Sequence, residues 1–177
     1  MPSRAPASGP VASWPDFRLR DLLRRLVGSG VDFVVVGGVA VIVQAQPRFT
    51  KDLDICYATD PANLEALGNV LVALNAKLRG SDEDLPFAPD ARTLRQTQIL
   101  TLSTDLGGLD LLVNPPGAPS WERLRSNADR ISVDGTAVLV ASLEDMLAMK
   151  LAARRPQDLL DVEALEVAQE LRGRRGR

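Results

Sequence analysis

Asp52 and Asp54 stand one residue apart in an apolar run, with Leu53 and Ile55 at the alternate positions. Successive side chains of a strand point to opposite faces, so the two carboxylates share one face and the two aliphatic groups share the other. Carboxylates held side by side repel until a cation neutralises them, and hard oxygen donors suit Mg2+ or Mn2+. Upstream, a short β-branched run at residues 33–36 ends in Gly37 and Gly38. A glycine turn that opens a helix presents backbone N–H groups with no intrahelical partner, and these suit a phosphate. Metal-binding oxygens beside a phosphate cradle are the parts of nucleotide chemistry.

A third carboxylate, Asp110, sits among Leu109, Leu111, Leu112 and Val113. Unpaired in such a strand it would cost several kcal/mol, so it calls for a cation or a solvent-filled cleft. Arg48, Thr50 and Lys51 immediately precede the aspartate pair and can contact phosphates. Taken singly, each feature has an ordinary explanation: solvated carboxylates at a strand edge, a glycine that punctuates strand and helix, cations in a loop. Their succession within one strand–helix–strand unit is what points to a site.

Composition narrows the chemistry. The 177-residue chain has no histidine, which removes an imidazole base, a Ser-His or Cys-His nucleophile and any histidine metal site. Catalysis has to run on carboxylates, lysine, arginine, hydroxyls or a metal. The one cysteine, Cys56, excludes an internal disulfide and is compatible with a reducing cytosol, so the expected location is cytoplasmic. A net charge of −2 argues against coating nucleic acid by bulk electrostatics but leaves room for a local basic patch. The longest apolar stretch, residues 33–43, is interrupted by the two glycines and is too short to span a bilayer.

Stepping along the chain, periodicity and turn residues describe one α/β domain over residues 16–171: a mixed sheet flanked by helices, with a helical C-terminal portion. Residues 1–15, rich in Pro, Ala and Ser, read as a flexible N-terminal segment and residues 172–177 as a basic tail. Helices are expected over residues 16–27, 38–46, 61–75, 121–128 and 142–154 and from Pro156 onward. Strands are expected over residues 32–36, 51–57, 97–103, 109–113, 131–133 and 137–140, with hairpin turns at 105–108 and at Asp134 and Gly135. Residues 80–91 read as an acidic surface loop. Leu159, Leu160, Val162 and Leu165 form the expected apolar side of the last helix. Leu147 and Leu151 would pack the helix before it, leaving Lys150 free to reach a cleft.

The order Gly37, Gly38, a short helix, Asp52 and Asp54, then Asp110 on a later strand resembles the nucleotidyltransferase fold of the polymerase-β superfamily. Within it, the chain is most similar to the minimal bacterial nucleotidyltransferases, the group that contains the AbiEii-type and MenT-type toxins of toxin–antitoxin systems. Residues 149–161, with Lys150 on one helix and Asp158 and Asp161 on the next, resemble that group's later motif, and the likeness spans residues 31–165.

The resemblance implies that Asp52, Asp54 and Asp110 bind catalytic Mg2+ or Mn2+, with Asp110 also the candidate base. Gly37 and Gly38 would cradle the triphosphate with Arg48 and Thr50 beside them; Lys150 would neutralise phosphate charge or touch the sugar, and Asp158 would support the site. Many relatives carry Ser where this chain has Gly38, so a hydroxyl contact is missing while the N–H donors remain. The implied reaction is attack by an acceptor hydroxyl on the α-phosphate of a nucleoside triphosphate, with pyrophosphate leaving. The acceptor would be a tRNA end or a protein hydroxyl, and a cognate antitoxin an expected partner. An RNA acceptor requires a basic face, for which Arg92, Arg95, Arg123, Arg125, Arg154 and Arg155 are candidates. Two other readings stand beside this one: an antibiotic nucleotidyltransferase, with an acidic pocket supplied by Asp82, Glu83 and Asp84, and a catalytically silent antitoxin-like interaction module.

Overall fold

The run of four aliphatic and aromatic residues after Asp32 is buried on both faces and forms β1 (Phe33–Val36), the strand on which the site is organised. In the computed structural model, which describes residues 17–80 and 87–175, it is preceded by α1 (Leu19–Gly28) and followed at once by α2 (Gly37–Gln44). Then come β2 (Asp52–Tyr57), α3 (Pro61–Ala73), β3 (Lys77–Leu78), α4 (Ala91–Gln96), β4 (Ile99–Thr104) and β5 (Gly107–Leu112). The chain continues through α5 (Trp121–Asn127), β6 (Asp129–Val133), β7 (Thr136–Val140), α6 (Leu143–Ala153) and α7 (Pro156–Arg175). Of the residues named above, Asp82, Glu83 and Asp84 lie outside the described ones, as does the segment 1–16.

The strands form one mixed sheet in the order β3-β4-β5-β2-β1-β7-β6. β1 pairs antiparallel with β2 and parallel with β7, while β2 pairs parallel with β5. The antiparallel pairs β4·β5 and β6·β7 are hairpins: Thr104 faces Gly107 across one turn, and Val133 faces Thr136 across the other. In the second turn Asp134 and Gly135 have φ of 47° and 80°, the positive values that a twist-matched two-residue turn requires. Leu53, Ile55, Leu109 and Leu111 are fully buried on one face of the central strands, which fixes the register and turns the intervening aspartates to the other face.

Two polar residues tie the helices to this sheet. The buried Asn63 on α3 accepts from the Asp32 N–H at 2.7 Å and donates to the carbonyls of Asp32 and Ala58, clamping the start of β1 against the end of β2. Gln44, at the end of α2, donates to Asp129 Oδ2 at 2.8 Å and to the Ala141 carbonyl at 2.7 Å, and accepts from Arg172 at 2.9 Å. A buried amide with its partners supplied is stabilising by about 1 kcal/mol per bond and specific in direction.

Two elements were not anticipated. The stretch read as a loop through residue 91 gives way to α4, capped by the Asp90 side chain on Thr93 N–H, and β3 adds an edge strand of two residues. At the C-terminus α7 runs on to Arg175, through part of the stretch read as a basic tail. Leu159 and Leu160, expected on its apolar side, are 59% and 65% exposed, whereas Asp158, Asp161, Val162 and Leu165 are buried. The inward face of α7 thus carries two carboxylates, and a search for apolar spacing rotates it the wrong way. On α6 the buried residues are Leu143, Asp145, Met146, Met149 and Lys150, with Leu151 half exposed, so Lys150 lies within the packing rather than free of it.

Candidate active site

The register of the central strands assembles the acidic face. Asp54 lies directly beside Asp110 across the parallel β2·β5 ladder, and Asp52 beside Gly108. Across the antiparallel β1·β2 ladder Asp54 lies opposite Val36, so the next residue, Gly37, arrives against the Asp54 side chain. Gly37 has φ of 61°, and a Cβ there would fall on the Asp54 carboxylate, so glycine is required by conformation and space together. The Gly38 N–H, at the start of α2, donates to Asp54 Oδ2 at 3.4 Å. A strand turning straight into a helix with no intervening loop therefore delivers both glycines to the carboxylates.

These carboxylates are electrostatically crowded. Burial, then the charge of Asp52, pushes Asp54 up to about 6, although the Gly38 N–H, Lys150 and Arg155 pull it back. Burial, then the charge of Asp54, pushes Asp110 up to about 7, with Arg79 and Arg155 opposing. Asp110 Oδ1 is buried and makes no hydrogen bond. Hard oxygens held close at the expense of their own ionisation fit a divalent cation such as Mg2+ or Mn2+. Among the described residues no three acidic or cysteine side chains stand as a ready-made metal cage. A guanidinium, that of Arg79, lies between Asp52 and Asp110.

A second charged cluster flanks the first. Lys150 Nζ sits 2.8 Å from Asp158 Oδ1 and 2.8 Å from Asp161 Oδ2, all three side chains being almost fully buried. Arg155 adds a 2.8 Å hydrogen bond from its Nε, and a backbone bond at 3.1 Å, to Asp158 Oδ2. Burial works to raise Asp158, but the hydrogen bonds from Arg155 and Lys150 outweigh it and hold its carboxyl below the usual range. Hydrogen bonding to Asp158 likewise raises Arg155, whose charge also feels Asp54 and Asp161. Arg48 lies 3.6 Å from Asp161 through Nε, too far for a hydrogen bond, and that buried Nε is unpartnered. A Cβ on Gly38 would come within 2.7 Å of Arg48 Nη2 and 2.8 Å of Thr50 Oγ1, so the missing side chain of Gly38 makes room for both groups.

The structure thus brings together Gly37, Gly38, Arg48, Thr50, Asp52, Asp54 and Asp110, with the Lys150–Asp158 pair acting on them from the side. Of the six arginines considered for a basic face, Arg155 acts electrostatically on Asp54 and Asp110, while Arg125 pairs with Asp32 at 2.9 Å. Cys56, next along the same face of β2, is buried; that burial and the Asp54 charge push its thiol up to about 12, which leaves it inert at neutral pH. Sequence reasoning missed Arg79, whose only local signal is an arginine following a two-residue strand.

A glycine turn abutting paired strand aspartates, on this sheet, defines a nucleotidyltransferase. Residues 21–175 match the family described as "Nucleotidyl transferase AbiEii toxin, Type IV TA system", and the chain belongs to that family. Among solved structures it is similar to the lincomycin-bound lincosamide antibiotic adenylyltransferase LnuA, at 16% identity and a TM-score of 0.58 over 84% of this chain and 94% of that one. It is similar to the antibiotic-resistance factor ANT(2'')-Ia, at 13% identity and a TM-score of 0.52 over 86% of this chain and 83% of the other. An antigenic nucleotidyltransferase-like protein from Paracoccidioides brasiliensis aligns at 18% identity and a TM-score of 0.50, covering 87% of this chain and 76% of its own. At such identities the likeness is one of fold. No curated protein matches the sequence significantly. Among the described residues no helix is long and apolar enough to cross a membrane.

Proposed function

We propose that this nucleotidyltransferase is divalent-metal-dependent and moves a nucleotide from a nucleoside triphosphate to a hydroxyl on a macromolecular acceptor, a tRNA end or a protein side chain, as the toxin of a toxin–antitoxin pair in the cytoplasm. The observation that carries the reaction is the register of Asp54 with Asp110, with Asp52 on the same face and the Gly37 turn packed against Asp54. The toxin role rests on the family to which the chain belongs.

Asp52, Asp54 and Asp110 would hold Mg2+ or Mn2+, which supplies stabilisation of the charge that builds on the phosphoryl oxygens. The Gly37–Gly38 start of α2 turns its N–H groups, of which that of Gly38 makes only a long bond to Asp54, and the positive end of the helix toward the triphosphate. Arg48, whose Nη2 lies beside Gly38 and whose Nε makes no hydrogen bond, and Thr50 add donors to the phosphates. Asp110, beside Asp54 on the same face, is the candidate base for the proton of the attacking hydroxyl. Lys150, locked between Asp158 and Asp161, sends its positive charge toward Asp54 and the phosphates without itself moving.

Incubation with each labelled nucleoside triphosphate, Mg2+ and either total RNA or RNA-free lysate tests the reading. Label in an RNA end or a protein, lost in Asp54→Asn, supports it. Label confined to small molecules would instead favour an antibiotic-modifying enzyme, and label nowhere a silent module.

A further inference from the structure

The acidic face already has a cation of its own. Arg79 follows β3 at the edge of the sheet, where its N–H donates to the Thr101 carbonyl at 2.9 Å. Its guanidinium reaches inward: Nη1 donates to Asp52 Oδ2 at 3.0 Å, Nη2 donates to the Leu102 carbonyl at 2.8 Å, and Nη2 lies 3.3 Å from Asp110 Oδ1. Gly108 admits it. A Cβ at that position would collide with Nη2 and stand 2.9 Å from the Asp52 Cβ, so a side chain there would close the path between the two carboxylates.

The fit is unequal, and the inequality is informative. Asp52 receives a good hydrogen bond, whereas Asp110 Oδ1 is buried and receives only an ion pair without hydrogen-bond geometry. A guanidinium presents its donors in a rigid planar fork, and with one Nη2 N–H directed at the Leu102 carbonyl the group approaches Asp110 Oδ1 at 3.3 Å without hydrogen-bond geometry. Arg79 therefore offsets part of the charge of the pair but leaves Asp110 Oδ1 without a hydrogen bond. A spherical divalent ion has no such directional limit. The Arg79 side chain is 30% exposed, so it has a way out toward solvent.

On the reading that the carboxylates bind a divalent cation, we propose that Arg79 is a positioning residue that acts as resident counter-ion: it holds Asp52 and Asp110 together in the cation-free protein and is exchanged for the metal on loading. A divalent ion held by the same two carboxylates would lie close to the guanidinium, where like charges repel in a partly buried cleft. Exchange follows from that repulsion. The residue lowers the repulsion between the two carboxylates when the cleft is empty and makes loading selective for a cation able to displace a monovalent fork.

The test is direct Mn2+ binding to the full chain, followed by the electron paramagnetic resonance of free Mn2+, for the wild type, Arg79→Gln and Arg79→Lys. Removing a competing, partly exposed ion pair should tighten Mn2+ binding about fivefold in Arg79→Gln. Arg79→Lys, which keeps the charge and loses the fork, should fall between the two. In EDTA at pH 8 Arg79→Gln should unfold at a lower temperature than the wild type, with saturating Mn2+ removing the difference. Equal or weaker Mn2+ binding in Arg79→Gln would overturn the proposal, making Arg79 a fixed strut that orients the carboxylates. If that variant does not fold, Arg79→Lys decides by the same criterion. Exchange without nucleotide transfer would leave this inference standing and remove the catalytic reading; transfer without Mn2+ binding to any variant would do the reverse.

Discussion

Replacing Asp54 by asparagine keeps the shape of the side chain and deletes a charge that the fold resists. The native carboxyl is pushed from 3.8 up to about 6, so the folded chain binds that proton more tightly than the unfolded chain does. By linkage, stability of the cation-free protein must fall as pH rises through this window, from about 4 to about 6, and stay reduced above it. Each tenfold change in proton affinity is worth about 1.4 kcal/mol, so at pH 8 the ionised group costs about 3 kcal/mol at most. For a chain of this size, 1 kcal/mol moves the midpoint by roughly 2–4 °C. Asp54→Asn should therefore melt above the wild type in EDTA at pH 8 by up to about 6–12 °C, with the gap shrinking steadily toward pH 4 and absent below it. Thermal unfolding at pH 4.5, 6 and 8 measures this. Saturating Mn2+ should reverse the ranking, because only the wild type keeps the full ligand set, and nucleotide transfer by the variant should be abolished. A gap that is constant with pH, or that widens as pH falls, would refute the electrostatic argument, because packing and amide hydrogen bonds do not titrate.

Lys150→Ala leaves Asp158 and Asp161 buried without their shared cation, so it should destabilise by about 3–5 kcal/mol, seen as a lower urea midpoint, as well as raising the KM for the nucleotide. That outcome differs from the expectation of a free lysine acting through charge alone, and it follows from the burial of all three groups. Gly37→Ala places a methyl group on the Asp54 carboxylate at a positive φ, which should cost about 1–3 kcal/mol in thermal unfolding and remove transfer activity. Gly38→Ser would push against Arg48 and Thr50, so the added hydroxyl should raise the KM for the triphosphate rather than lower it, with the folded content by circular dichroism unchanged.

The strand–helix–strand unit around the glycines was legible because each signal in it is local. A Phe followed by three valines, a glycine pair and an alternating Asp-Leu-Asp-Ile segment each specify conformation within a turn or two of chain. The convergence of Asp110 on Asp54 was legible in kind but not in geometry, since only a carboxylate stranded among leucines hinted at a distant partner. Arg79 was not legible, because its meaning lies in Gly108 and Leu102, far along the chain, and in a two-residue strand too short to show alternation. The face of α7 was misread for a related reason. Its buried aspartates count as polar in any periodicity search, and their partner Lys150 belongs to another helix.

Because Asp54 meets Asp110 across a parallel ladder, changes in chain length are constrained unevenly along the protein. The two aspartates are joined by the excursion through α3, β3, α4 and β4, and closing a longer excursion costs only about 0.6 kcal/mol for each doubling of length. Natural or engineered insertions in its connections can therefore add whole segments while the reacting carboxylates stay in place. Inside β5 the situation inverts. Deleting a single residue ahead of Asp110 would move it one step along the ladder, turn it to the opposite face among Leu53 and Ile55, and present a leucine to the cleft. Homologues that differ greatly in size should accordingly vary between the strands and hold the count within them.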